Sequence, residues 1–153
     1  MKEQLLETWR IHNRMNMLLI DHITDEGMNK TLSPRGRTVY LQLVHVHSVR
    51  LSWLEWSAPD IFKKCTPIKK ETALDRKSLL ASFEQSAKAL EELFARGWDN
   101  NGSIKNFKKG ILPMLGYFIS HESHHRGNIL LTLKQSGEKL HDAVKWGLWE
   151  WNK

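Results

Sequence analysis

The run His121-Glu122-Ser123-His124-His125-Arg126-Gly127-Asn128 places two imidazoles four residues apart. On a helix, such residues project from one face about a turn apart, so His121 and His125 could hold one ion between them. Met114, Phe118 and Ile129 continue that face, which aims the pair at an apolar interior. Val44-His45-Val46-His47 offers a further imidazole from a strongly apolar segment, able to reach across as a third ligand. Three neutral imidazoles would leave coordination positions for water or substrate, as catalytic zinc sites do and structural ones do not. A lone histidine is usually an ordinary hydrogen-bonded core or surface residue. The spaced pair, together with a histidine on another buried segment, departs from that background. His124 is turned about 100° from His125 and flanks the pair. His22 and His141 carry no pattern and read as surface residues.

Residues 121–125 also satisfy H-E-x-x-H, the zinc-protease signature in which two histidines bind the metal and the glutamate activates water. Taken alone it suggests a peptidase. Zincins pair that helix with a substrate-aligning edge strand, however, and no convincing strand is legible here. Glu122 points off the His121/His125 stripe and could be a surface acid pairing Arg126 at i+4.

These residues need helices to position them. Residues 3–24 carry Leu5, Trp9, Leu19 and Ile23 on one stripe, with Leu6, Met17 and Ile20 beside it, which predicts a first helix. That stripe passes through His12 and Asn16, two polar groups turned toward the core. Gly27 and Ser33-Pro34-Arg35-Gly36 mark a loop. A second helix is predicted over residues 38–55, apolar on most of its circumference, with Pro59 ending it. Residues 57–71 form a basic connection holding Cys65 and Pro67. A third helix follows Leu79, Leu80, Phe83, Ala87, Leu90 and Phe94, with Asp75 as N-cap and Gly97 as C-terminal cap. Pro113 suits the first turn of a fourth helix that ends before Gly137. The expected fold is all-α: one domain spanning residues 1–153, a four-helix bundle with a crossover connection and a short Trp-rich tail. Trp146, Leu148, Trp149 and Trp151 in that tail could cap the bundle's own site or fill a subunit interface.

Composition narrows the partners. The 153 residues are 41% hydrophobic and 26% charged, which excludes a disordered or low-complexity chain. A single cysteine excludes a disulfide framework and any multi-cysteine metal cage. Cys65 sits among lysines that could lower its pKa, but no histidine lies near it in sequence, so it reads as a free surface thiol. With no secretory leader pattern at the start and no membrane-span-length apolar run, a cytoplasmic protein is expected. A net charge of +6 invites a nucleic-acid reading. The basic residues are scattered, though, and the clusters Lys63–Lys64, Lys69–Lys70 and Lys105/Lys108/Lys109 sit in loops. Nucleic acid is therefore not the expected partner.

A broader pattern spans nearly the whole chain: Trp9-Arg10-Ile11-His12-Asn13-Arg14, the segment from Val44-His45-Val46-His47 to Trp53-Leu54, the run from His121 to Asn128, and Gly147-Leu148-Trp149-Glu150-Trp151. In these segments the sequence resembles the DinB-like superfamily of metal-binding four-helix bundles, which includes the YfiT-like thiol-dependent transferases. The resemblance implies a metal triad of His45, His121 and His125. His45, eight residues before Trp53, is favoured over His47, and Asn128 stands where glutamine is common. Imidazole ligands suit divalent zinc, nickel, iron and copper alike, with zinc and nickel the first choices, and the resemblance further implies a low-molecular-weight thiol attacking a small electrophilic molecule, hence an S-transferase or hydrolase. His12 and Asn16 become candidates for holding imidazole tautomers or bound water. A homodimer is implied in the same way. The alternative is a metal-binding but non-catalytic stress or interaction protein.

Overall fold

The computed structural model describes residues 1–69 and 71–153, so Lys70 of the Lys69–Lys70 cluster lies outside the described residues. Four long helices are joined by short helices and turns: α1 (Lys2–His22), α2 (Asp25–Met28), α3 (Val39–Ser57), α4 (Pro59–Phe62), α5 (Arg76–Asp99), α6 (Ile111–Gln135) and α7 (Asp142–Gly147). The described residues form no strand, only the isolated bridges Thr31–Thr38 and Ile104–Phe107. None of the helices is long and apolar enough to cross a membrane.

Local chemistry sets the starts of most elements. Thr38 Oγ1 accepts the Leu41 N–H at the head of α3, Asp75 caps α5 through Lys77, and the ring of His141 accepts the Ala143 N–H at α7. The expected end of α5 at Gly97 is too early. The helix runs on to Asp99 with Asn100 as C-cap. Gly97 instead lies under Ile104, whose Cδ1 would come within 2.7 Å of an added Cβ. Its lack of a side chain serves packing rather than termination.

α1 packs chiefly on α5, and α3 lies against both α5 and α6. The apolar interior is divided. One cluster gathers Trp9, Leu51, Leu54, Leu90, Phe94 and Phe118, and the other gathers Met15, Leu19, Val39, Leu43, Phe83 and Ile129. Between them runs a buried polar layer to which every long helix contributes: His12 and Asn16 from α1, His47 and Arg50 from α3, Ser86 from α5, Glu122 and His125 from α6. The two off-pattern groups on the first stripe are thus members of a layer.

The tail does not cap the histidines. Leu148 is buried, Gly147 abuts Leu18 of α1, and Arg14 donates to the Glu150 carbonyl at 2.9 Å. Trp146 and Trp149 remain 72% and 77% exposed.

Candidate metal centre

Arg50 sits in the middle of α3 with no solvent contact, and its Nε and Nη2 donate to Glu122 Oε1 and Oε2, each at 2.7 Å. Glu122 Oε2 also accepts from His12 Nε2 at 2.9 Å and Asn16 Nδ2 at 2.6 Å, so the carboxylate takes four hydrogen bonds, three of them on Oε2. The remaining Arg50 nitrogen, Nη1, donates to Asn13 Oδ1 at 3.0 Å, and the guanidinium carbon lies 4.9 Å from the ring centres of Trp9 and Phe83. Burial would raise the Glu122 pKa. The charge of Arg50, its hydrogen bonds and those of His12 outweigh that and hold the carboxyl well below the usual range. His12 is held neutral chiefly by burial, so its Nε2–H faces Glu122 while Nδ1 is left to accept from Arg126 at 3.4 Å. Arg126 also donates to Asn16 Oδ1 at 2.7 Å, which closes a ring through Asn16, Glu122 and His12.

This corrects one expectation and bears on the peptidase motif. Glu122 is not a surface acid paired with Arg126; it is buried against Arg50. It is also poorly suited to be the water-activating base of H-E-x-x-H, because it is buried, held by Arg50 of α3 and by His12 and Asn16 of α1, and kept well below the usual carboxylate range. His12 and Asn16 spend their hydrogen bonds on Glu122 and Arg126, so their place is the anchoring of α6.

On the adjoining face of α6, His121 and His125 meet His45 of α3. One ring nitrogen from each lies within 4.8 Å of the others. Ring centres are 5.4 Å apart for His45–His121, 4.9 Å for His45–His125 and 4.7 Å for His121–His125. Nitrogens bound tetrahedrally to one zinc stand roughly 3.3 Å apart, so small side-chain rotations would close this set onto an ion. Nδ1 of His121 and of His125 is buried without a hydrogen-bond partner. Such atoms cost about 1–3 kcal/mol each unless something satisfies them. Burial first, then the neighbouring His121 and His45, pushes His125 down to about 4, and burial lowers His121 as well. Both are neutral near pH 7, the form that ligates metals. The three histidines could therefore hold a metal ion.

His47 is turned elsewhere. Its Nε2 donates to the Thr66 carbonyl at 3.0 Å and its Nδ1 lies 3.2 Å from Ser86 Oγ. Burial presses its pKa to about 4. Two residues of helix separate His45 from His47 by about 200°, so only one of them can face α6. His124 is exposed and contacts Asn128, and His22 and His141 are on the surface as expected. Cys65 is half-buried against the core, and that burial raises its thiol pKa despite Lys64, so the lysine-rich setting does not activate it.

Tyr117 stacks on His121, with ring centres 5.9 Å apart and planes within 10° of parallel, and it links the site to Trp53. A cleft of about 430 Å³ opens beside His45, walled by Leu41, Val44, Ser48 and Val49, with Arg37 in its lining. Neither Arg37 nor the buried Arg50–Glu122 pair is singled out by motif. An arginine set between Val49 and Leu51 in the middle of a largely buried helix was the available signal for the pair.

No curated protein matches the sequence. The crystal structure of a DinB-like protein from Bacillus cereus superposes with a TM-score of 0.67 at 19% identity, covering 91% of this chain and 93% of that one, a likeness of fold. The family model for the DinB family matches residues 1–143, and the chain accordingly belongs to the DinB family.

Proposed function

We propose that the protein is a metal-dependent enzyme acting on a small electrophilic molecule, most simply a thiol-dependent S-transferase or a hydrolase. The observation that carries this reading is the convergence of His45, His121 and His125, with two unpartnered buried nitrogens, in a set whose His45 also lines an open cleft. His45, His121 and His125 would hold the ion, with zinc or nickel the first candidates among metals that suit imidazole. Bound there, it would polarise an electrophile or lower the pKa of a water or thiol toward neutrality. The chain's own contribution is positional. Arg50 and Glu122 lock α3 to α6, Tyr117 fixes the His121 ring by stacking, and the apolar wall of Leu41, Val44 and Val49 receives the carbon skeleton of a substrate. A cytoplasmic location suits the reading, because Cys65 and a small thiol stay reduced there. So does a homodimer formed through the outward face of α6.

The test is the metal content of protein purified without affinity tag or chelator. About one ion per chain is expected in the wild type and almost none in His45→Ala, His121→Ala or His125→Ala. His47→Ala should keep its metal while losing stability, because it breaks the contacts to Thr66, Ser86 and Phe83 and none to the histidine set. Loaded protein is then offered thiols with electrophiles, and esters or amides for hydrolysis. No ion in the wild type, even after adding metals back, would overturn the reading. Metal without turnover would leave a metal-binding interaction protein.

A further inference from the structure

The cleft beside His45 has one charged wall group, Arg37, which precedes the Thr38 cap of α3. Arg37 is exposed and, like Arg35, forms no ion pair or hydrogen bond with any described residue, so its guanidinium is open to a ligand in the cleft it lines, whereas Arg10, Arg50, Arg76 and Arg96 are each held by a carboxylate. Apart from His45, which belongs to the histidine set, the other polar wall groups are two serines whose protons are spent on the helix backbone. Ser48 Oγ gives its proton to the Val44 carbonyl at 2.8 Å and Ser52 Oγ gives its own to the Ser48 carbonyl at 3.0 Å. The cleft therefore combines an apolar floor with a single planar, doubly donating cation at its rim. A guanidinium fork matches a carboxylate in two parallel hydrogen bonds.

We infer that Arg37 selects a small molecule carrying one carboxylate, whose apolar body lies along Leu41, Val44 and Val49 and whose far end reaches the three histidines. A monoanion fits because Arg37 is the one fixed cation in the lining. At about 430 Å³ the cleft is near the lower end of the range for small-molecule sites. The inference rests on reading the cleft as the substrate site of the proposed enzyme, and it makes Arg37 a specificity-determining residue outside the ligand set.

Hexanoate and its neutral analogue hexanamide are the probes, titrated into ¹⁵N-labelled protein at low ionic strength and followed by amide chemical shifts. In wild-type protein, hexanoate should bind about tenfold more tightly than hexanamide, with the shifts at Leu41, Val44 and Val49, and added salt should narrow the gap. Arg37→Gln should abolish the preference and leave metal content unchanged. Equal affinities, or a preference that survives in Arg37→Gln, would overturn the inference. The titration is repeated on chelator-stripped protein, which separates it from the metal assignment. A preference seen only in loaded protein would mean that the carboxylate sits on the ion, refuting Arg37 and sparing the histidines. An Arg37-dependent preference in a protein that takes no metal would refute the metal reading alone.

Discussion

Glu122 and Arg50 bury opposite charges in the same layer, and breaking such a pair costs more than the pair itself contributes. Glu122→Gln leaves the Arg50 guanidinium without its counter-charge, and a loss of about 3–5 kcal/mol is expected in urea unfolding. Adding Arg50→Met should recover part of that loss, and simple additivity of the two effects would contradict the coupling. The buried histidines of the layer act in a different pH window. His47 titrates at about 4 in the folded chain against an ordinary 6.5, and burial lowers His12 too. Between those values the unfolded chain takes up protons that the folded chain refuses, so stability falls as pH drops from 6.5 toward 4 and is insensitive to these groups above that. For His47 the loss approaches about 3 kcal/mol. Glu122, depressed below the usual carboxylate range, contributes stability that is present above the unfolded carboxylate pKa and lost only at more acidic pH. The urea midpoint of His47→Gln should accordingly fall less steeply between pH 7 and 4 than that of the wild type. Parallel slopes would exclude His47 as a source of the acid sensitivity.

The long helices were legible because apolar periodicity and caps are local properties. Residues 38–55 became α3 at Val39–Ser57, and Pro113 lies in the first turn of α6 as expected. The partners of Glu122 were not legible. Its choice between Arg126 on its own helix and Arg50 on α3 depends on how α3 and α6 are rotated against each other, which periodicity does not encode. For the same reason His45 and His47 stayed open on spacing alone until the fold placed one on each side of α3. One loop device is also non-local. Gly110 precedes α6 at φ 82° and ψ −171°, a region nearly restricted to glycine, and an added Cβ would lie 2.6 Å from the Gly102 carbonyl oxygen. That oxygen accepts the Ile111 N–H at 2.8 Å and so anchors the start of α6. Gly110→Ala should cost about 1–3 kcal/mol by thermal or urea unfolding. It should leave metal stoichiometry intact, because His121 lies almost three turns further on. A variant as stable as the wild type would show that the loop has another way to close.

At the scale of the molecule, α6 is unusual for its outward side. From Ile111 to Leu133 its only charged residues are Glu122 and Arg126, and both are spent on the interior layer. The solvent side presents Leu112, Gly116, Tyr117, Ser120, Gly127 and Leu131, in a chain that is 26% charged. A Cβ added at Gly116 or Gly127 would meet nothing within 4 Å, so packing inside the chain does not account for those glycines. Small residues between larger apolar ones would let a second α6 approach closely, and a two-fold pairing of this face with itself is the simplest closed assembly. The exposed Trp146 and Trp149 lie on the tail against α1 instead, so the two surfaces can be tested separately. Sedimentation velocity at micromolar concentrations should give a dimer for the wild type. It should give a monomer for Leu131→Glu, since a charge facing its own copy across a two-fold axis repels and loses hydration. Leu131 is on the surface, so the monomeric variant should keep its helical content and its metal, whereas a loss of either would mean that the substitution had damaged the fold. Trp149→Ser should leave the dimer intact. A wild type that sediments as a monomer would remove α6 as the interface, and a dimer lost only in Trp149→Ser would move the interface to the tail.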